Sequence, residues 1–152
     1  MTNKWPQLAN IGEFAEKSLY TDPNTTLIKL RLLAEKIAKL MMNYEGIQEY
    51  GEINQAKRLK ILDNRDFLPF QVKEIFHTLR VTGNRAIHDG IGSEKDAEVS
   101  LSLAQKLSAW FNEVYGDDRT FKAENVTFVT PERIDIKAEY EKLKKEHEAV
   151  LK

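Results

Sequence analysis

The sequence predicts an all-α protein, a helical bundle of about five helices with a short extended segment and a charged C-terminal helix. Three observations carry that prediction. Apolar residues recur at three- and four-residue spacing through five separate segments. Clusters of Gly, Pro, Asn and Asp separate those segments at residues 21–24, 46–51, 64–69, 89–93 and 116–118. β-type composition is confined to Val126, Phe128 and Val129, closed by Pro131.

The first segment keeps helical spacing through Trp5, Leu8, Ile11, Phe14, Ala15 and Leu19 and ends near Tyr20. In the second, Leu27, Ile28, Leu30, Leu33, Ile37 and Met41 belong to an apolar set covering more than half the circumference, the pattern of a central helix. Asn24 or Thr25 is the expected cap, and Gly46 the stop after Tyr44. A shorter amphipathic helix is expected over residues 53–62. The next takes Pro69 or Phe70 in its first turn. Gly83 inside it costs about 1 kcal/mol relative to Ala, so close helix packing or a bend is expected there. The fifth helix, residues 94–115, has Val99, Leu101, Ala104, Leu107, Phe111 and Val114 in its apolar set. Trp110 and Phe111 read as core, Met41 and Met42 as gap-fillers, and Trp5 as a staple of the first helix to the bundle. From Ile136 the pattern changes to dense alternating charge with a sparse seam at Ile136, Tyr140, Leu143, Ala149 and Val150. That pattern fits an exposed or two-stranded helix, with His147 among the charges.

Composition narrows the function. A chain of 152 residues, 41% hydrophobic and 31% charged, fits one core. The net charge of -1 leaves no whole-chain attraction to nucleic acid or membrane, so any such contact must be a local patch. Absence of cysteine excludes disulfides, thiolate metal sites and a cysteine nucleophile. No apolar run approaches the ~20 residues of a membrane helix, and residues 1–10 lack the apolar stretch of a signal peptide, so a cytoplasmic chain is expected. There is no phosphate-binding glycine loop, dinucleotide fingerprint or nucleophile elbow. His77, His88 and His147 have no metal-ligand spacing, so no metal is expected. Asp135-Ile136-Lys137 with Asp117 or Asp118 upstream matches the loose acid-then-[DE]-x-K pattern of magnesium-dependent nucleases. The match is short, and it flanks a linker instead of lying on sheet strands.

The run FHTLRVTGNRAIHDG at residues 76–90 places Arg80, Asn84 and His88 on one helical stripe, with His77 one turn ahead of Arg80. Read as a site, Arg80 holds a phosphate and His88 acts as general acid or base on a ribose hydroxyl or leaving oxygen. Read as structure, Arg80, Asn84 and His88 form a polar cluster with Arg31 and Glu35 of the second helix. Composition favours the structural reading. Lys57, Arg58 and Lys60, with Arg80 and Arg85, are candidate nucleic-acid contacts.

DPNTTLIKLRLLAEKIAKL at residues 22–40, FHTLRVTGNRAIHDG at 76–90 and FVTPER at 128–133 resemble three blocks, in the same order, at the N-terminus of the R subunit of type I restriction-modification enzymes. The resemblance implies a bundle domain over residues 1–133 and a charged helical linker, residues 134–152, toward a downstream nuclease and helicase region. It further implies a parent protein of host defence that translocates and cleaves DNA with ATP and magnesium, alongside methylase and specificity subunits. Such domains are similar to the HEPN group, whose ribonucleases place four to six residues between an arginine and a histidine. Here seven residues separate Arg80 from His88 and two separate Arg85 from it, a departure that argues against RNA cleavage. A non-catalytic role in assembly or DNA contact is therefore expected, with a stand-alone ribonuclease or nucleic-acid-binding module as the rival.

Overall fold

Each cluster of turn residues becomes a helix boundary in the computed structural model. It describes residues 4–90, 92–131 and 136–151, with side chains of the last helix described only for residues 140–147. The helices are α1 (Pro6–Ser18), α2 (Pro23–Tyr44), α3 (Gln55–Asn64), α4 (Phe70–His88), α5 (Glu94–Tyr115) and α6 (Ile136–Leu151). A 3-10 turn, Ala123–Asn125, precedes the last. The fold is all-α, as its periodicity predicts.

Helix ends are set by local chemistry. The cap of α2 is Asp22, two or three residues before the expected Asn24 or Thr25, because Pro23 has no N–H to lose and its fixed φ suits the first helical position. Asp22 accepts from the Thr25 amide at 3.3 Å and its hydroxyl at 2.5 Å, and these bonds hold the Asp22 carboxyl below the usual carboxylate range. Asn24 instead donates to the Gly90 carbonyl at 2.9 Å, docking the α4–α5 turn on the start of α2. At the far end, the Ile47 amide reaches the Met42 carbonyl and the Gly46 amide that of Asn43, with Gly46 at φ 69°: a Schellman stop. α3 ends the same way with Asp66 at φ 62° in the glycine position. Ser93 and Asp96 form a reciprocal capping box on α5.

α2 packs against α1, α3, α4 and α5. Leu27, Leu30, Leu33, Ile37, Met41 and Met42 are nearly fully buried along it, each burial worth about 1.5–3 kcal/mol. Polar ties join its neighbours to it: the Thr26 hydroxyl donates to the Ala15 carbonyl of α1 at 2.8 Å, and Gln55 Nε2 of α3 donates to the Ala34 carbonyl at 3.3 Å. Trp5 does staple the first helix, packing at a tilt on Phe111 with ring centroids 4.5 Å apart and donating to the Tyr44 hydroxyl at 3.0 Å. Beside it, burial and a hydrogen bond to Glu45 push the Tyr115 phenol far up from its ordinary value.

Two expectations change, on α5 and at Phe14. The stripe of α5 facing the core runs through Ala97, Ser100, Leu101, Ala104, Leu107 and Phe111. Val99 lies off that stripe, about 200° round from Ala97, and is 48% exposed; Val114, in the last turn, is also exposed. Phe14 is exposed too, with the Lys29 ammonium 5.0 Å over its ring. Residues 126–130 form the expected extended segment, unpaired because no other extended segment among the described residues lies alongside. In α6, Tyr140 and Leu143 are exposed, as the charged pattern predicts.

Gly83 is buried where α4 crosses α2, and a Cβ there would run into the Arg31 side chain, beginning at its Cβ. Helix propensity alone would favour Gly83→Ala by about 1 kcal/mol. Overpacking opposes it, because the Arg31 Cβ is fixed to backbone and cannot swing away. Gly83→Ala is expected to lose about 1–3 kcal/mol in urea denaturation; equal or greater stability would contradict the close crossing.

Candidate functional site

The polar stripe of α4 begins half-buried and ends in solvent. Arg80 and Asn84 are partly buried, while His77, Arg85 and His88 are exposed. Arg80 Nη2 lies 3.3 Å from His77 Nδ1. A guanidinium only donates, so Nδ1 is the acceptor in this contact. Arg31 pairs with Glu35 along α2 at 3.1 Å, and the Arg31 Nε is buried with no partner among the described residues. The aliphatic part of Arg31 lies against Gly83, so α2 and the stripe do meet. The meeting is steric: no hydrogen bond joins Arg31 or Glu35 to Arg80, Asn84 or His88 among the described residues. Arg31, Glu35, Arg80, Asn84 and His88 therefore do not form one hydrogen-bonded cluster among the described residues. His88 fails to join for a plain reason: it is the last residue of α4, beyond the crossing.

The candidate nucleic-acid contacts divide differently. Arg58 is 4% exposed, pairs with Glu49, and donates to Gln55 Oε1 at 2.8 Å and the Ile53 carbonyl at 3.3 Å. It ties the α2–α3 connection to α3 and is withdrawn from solvent, which removes it from the contact set. The signal was in its spacing, because Gln55, Arg58 and Leu62 share the buried face of α3. Lys57, Lys60 and Arg85 are exposed.

Between α3 and α4 runs a groove of about 420 Å³, with Leu59, Lys60 and Asp63 on one side and Lys73, His77 and Arg80 on the other. Lys73 pairs with Asp63 at 2.9 Å, which holds the Lys73 ammonium above its ordinary range. No carboxylate lies within ion-pair distance of Lys57, Lys60, Arg80 or Arg85 among the described residues. Lys73 is the member that sequence reasoning missed, and His77 enters it only as the residue one turn ahead of Arg80. Their i, i+4, i+7 spacing with Arg80 was the available signal.

A second cavity, about 680 Å³, lies between α1 and α5 under residues 121–129. Leu8, Leu30 and Leu101 line its floor and Phe121, Val126 and Phe128 its roof. The Tyr20 hydroxyl donates to the Pro131 carbonyl at 2.7 Å and anchors the end of that roof. No group of three or more His, Asp or Glu that could hold a metal occurs among the described residues. The carboxylates of the loose nuclease pattern have other uses. Asp117 pairs with Lys4 at 2.9 Å and Asp118 accepts from the Thr120 amide and hydroxyl; Asp135 lies outside the described residues. No helix among the described residues is long and apolar enough to cross a membrane.

Comparison with known proteins now bears on this geometry. Residues 13–146 match the model of a family described as a domain of unknown function, DUF4145. The chain is similar to the type I restriction enzyme EcoKI endonuclease subunit of Escherichia coli (strain K12), 34% identical over 122 residues, which is 78% of this chain and 10% of that subunit. The chain thus spans about a tenth of the length of this relative. No solved structure matches.

Burial separates the structural from the displayed residues. Arg58→Met is expected to cost more than about 2 kcal/mol, since it strands the bonds of Glu49, Gln55 and Ile53. His88→Ala and Lys57→Met should change stability by less than about 0.5 kcal/mol. Urea titrations of the three variants check this; a large loss for His88→Ala would restore a structural role to that histidine.

Proposed function

The chain belongs to the DUF4145 family, and from that premise we propose that it is a non-catalytic helical domain of the R subunit of a type I restriction enzyme, serving subunit assembly or DNA contact. The observation that carries this reading is the 34% identity to a type I restriction endonuclease subunit, sustained over 78% of the chain. In that setting the parent protein translocates and cleaves DNA with ATP and magnesium in the cytoplasm, beside methylase and specificity subunits. The domain supplies none of that chemistry itself.

The site supports the non-catalytic part. General acid–base work at a phosphodiester needs its groups converging on one reacting atom. Arg80 and His88 are eight residues apart on a single helix, about 12 Å along its axis at ~1.5 Å per residue. His77 is nearer to Arg80 but has its Nδ1 engaged by it.

Two measurements test the reading. Sequencing the gene beyond the codon for Lys152 is expected to reveal an acid-[DE]-x-K nuclease block and a Walker motif in frame; finding neither contradicts the assignment. Incubated with RNA, the chain is expected to leave it intact, whereas cleavage abolished by His88→Ala would establish the ribonuclease rival instead.

A further inference from the structure

Charge is segregated along this chain. Residues 55–88, the α3–α4 hairpin, hold seven basic and three acidic residues, a net of +4, so the remainder carries -5 in a chain of -1. A molecule with no overall attraction for a polyanion therefore has one face that does attract it. The groove on that face gathers the charge further, because Lys60 and Arg80 approach it from opposite helices with no carboxylate in ion-pair reach, and Lys57 is exposed one turn before Lys60.

We propose that the α3–α4 groove is a sequence-independent binding site for the phosphate backbone of DNA, contacted by Lys57, Lys60, His77 and Arg80. The choice of DNA rests on the restriction-subunit reading above. The chemistry is that of phosphate contact without base readout. Lys57 and Lys60 supply mobile ammonium donors, Arg80 a planar guanidinium, and His77 an exposed imidazole in the groove wall, held by the contact of its Nδ1 with Arg80. From Lys73 to Arg80 the α4 side of the groove extends about 10 Å at ~1.5 Å per residue. That distance covers about three phosphates of one strand at their ~3.4 Å axial spacing. Asp63 does not oppose this, since Lys73 neutralises it at 2.9 Å. Glu74 stays as the one acidic wall and limits the affinity. The buried Arg58 contributes no contact, being neutralised by Glu49.

Fluorescence anisotropy of the full chain with a labelled 20-base-pair duplex, titrated from 50 to 200 mM salt, tests the proposal. Wild type is expected to bind with a steep salt dependence. The Lys57→Glu/Lys60→Glu variant is expected to lose about tenfold or more in affinity and about two units of log–log salt slope, near 0.9 per phosphate contact. Arg80→Gln should lower the slope by about one. Lys106→Glu, an exposed change on α5 in the acidic remainder, should stay within about twofold of wild type. Unchanged circular dichroism melts show that the α3 variants are folded, and Lys60→Gln offers a milder change at the same position. No duplex binding by wild type at 50 mM salt, equal loss in Lys106→Glu, or binding of RNA but not DNA would each overturn the proposal. If motor motifs follow in frame while groove variants bind DNA normally, the groove fails and the subunit reading stands. If groove variants lose DNA in a frame lacking those motifs, the groove stands and that reading fails.

Discussion

The bundle depends on how closely α4 can lie across α2. Gly83 removes the one side-chain atom that would hold the helices apart, and the Arg31 stem fills the space against the α4 backbone. The crossing brings Phe76, Leu79 and Ala86 of α4 down into the core that α2 fills with Leu27, Leu30, Leu33 and Ile37. The ranking of forces is clear. Each buried leucine or isoleucine is worth about 1.5–3 kcal/mol, whereas a partly exposed ion pair such as Arg31–Glu35 contributes at most about 1 kcal/mol. Apolar burial holds α4 in place, and the polar stripe is carried along with it.

That order of cause explains why the stripe looks like an active site in sequence although its groups do not converge on one point in space. Helical periodicity aligns Arg80, Asn84 and His88, but alignment along one helix separates groups in proportion to their sequence spacing. Convergence requires a second element. Among the described residues, the element lining the groove opposite Arg80 is α3, and it brings Leu59, Lys60 and Asp63, without a metal-binding set. What the two helices assemble is a groove with basic side chains on both walls, the surface proposed above to hold a phosphate.

Much of the fold was legible because its signals are local. Pro, Asn, Asp and Gly mark each helix end, and the apolar circumference of residues 25–44 identifies the central helix before any contact is known. Gly83 could be read as a close approach, though Arg31 as its neighbour could not. The misplaced cap at Asp22 shows the limit of reading cap residues singly: Asp22, Asn24 and Thr25 are all competent, and Pro23 decides among them. Burial of long charged side chains was the harder problem. Arg58 carries the same charge as Lys57 and Lys60, and only its register with Gln55 and Leu62, completed by Glu49 from the preceding connection, takes it inside. The groove itself was invisible in one dimension, since Lys60 and Arg80 are brought together by helix packing across twenty residues of chain.

The central claim is that α2 is the element on which α1, α3, α4 and α5 all rest. Native-state hydrogen exchange tests it most directly. The account predicts that amides in the middle of α2, from Leu30 to Ala38, exchange only through global unfolding, with the highest opening free energy in the molecule and a dependence on denaturant equal to that of global unfolding. Exchange of those amides through a smaller opening, while α4 and α5 stay protected, would contradict it.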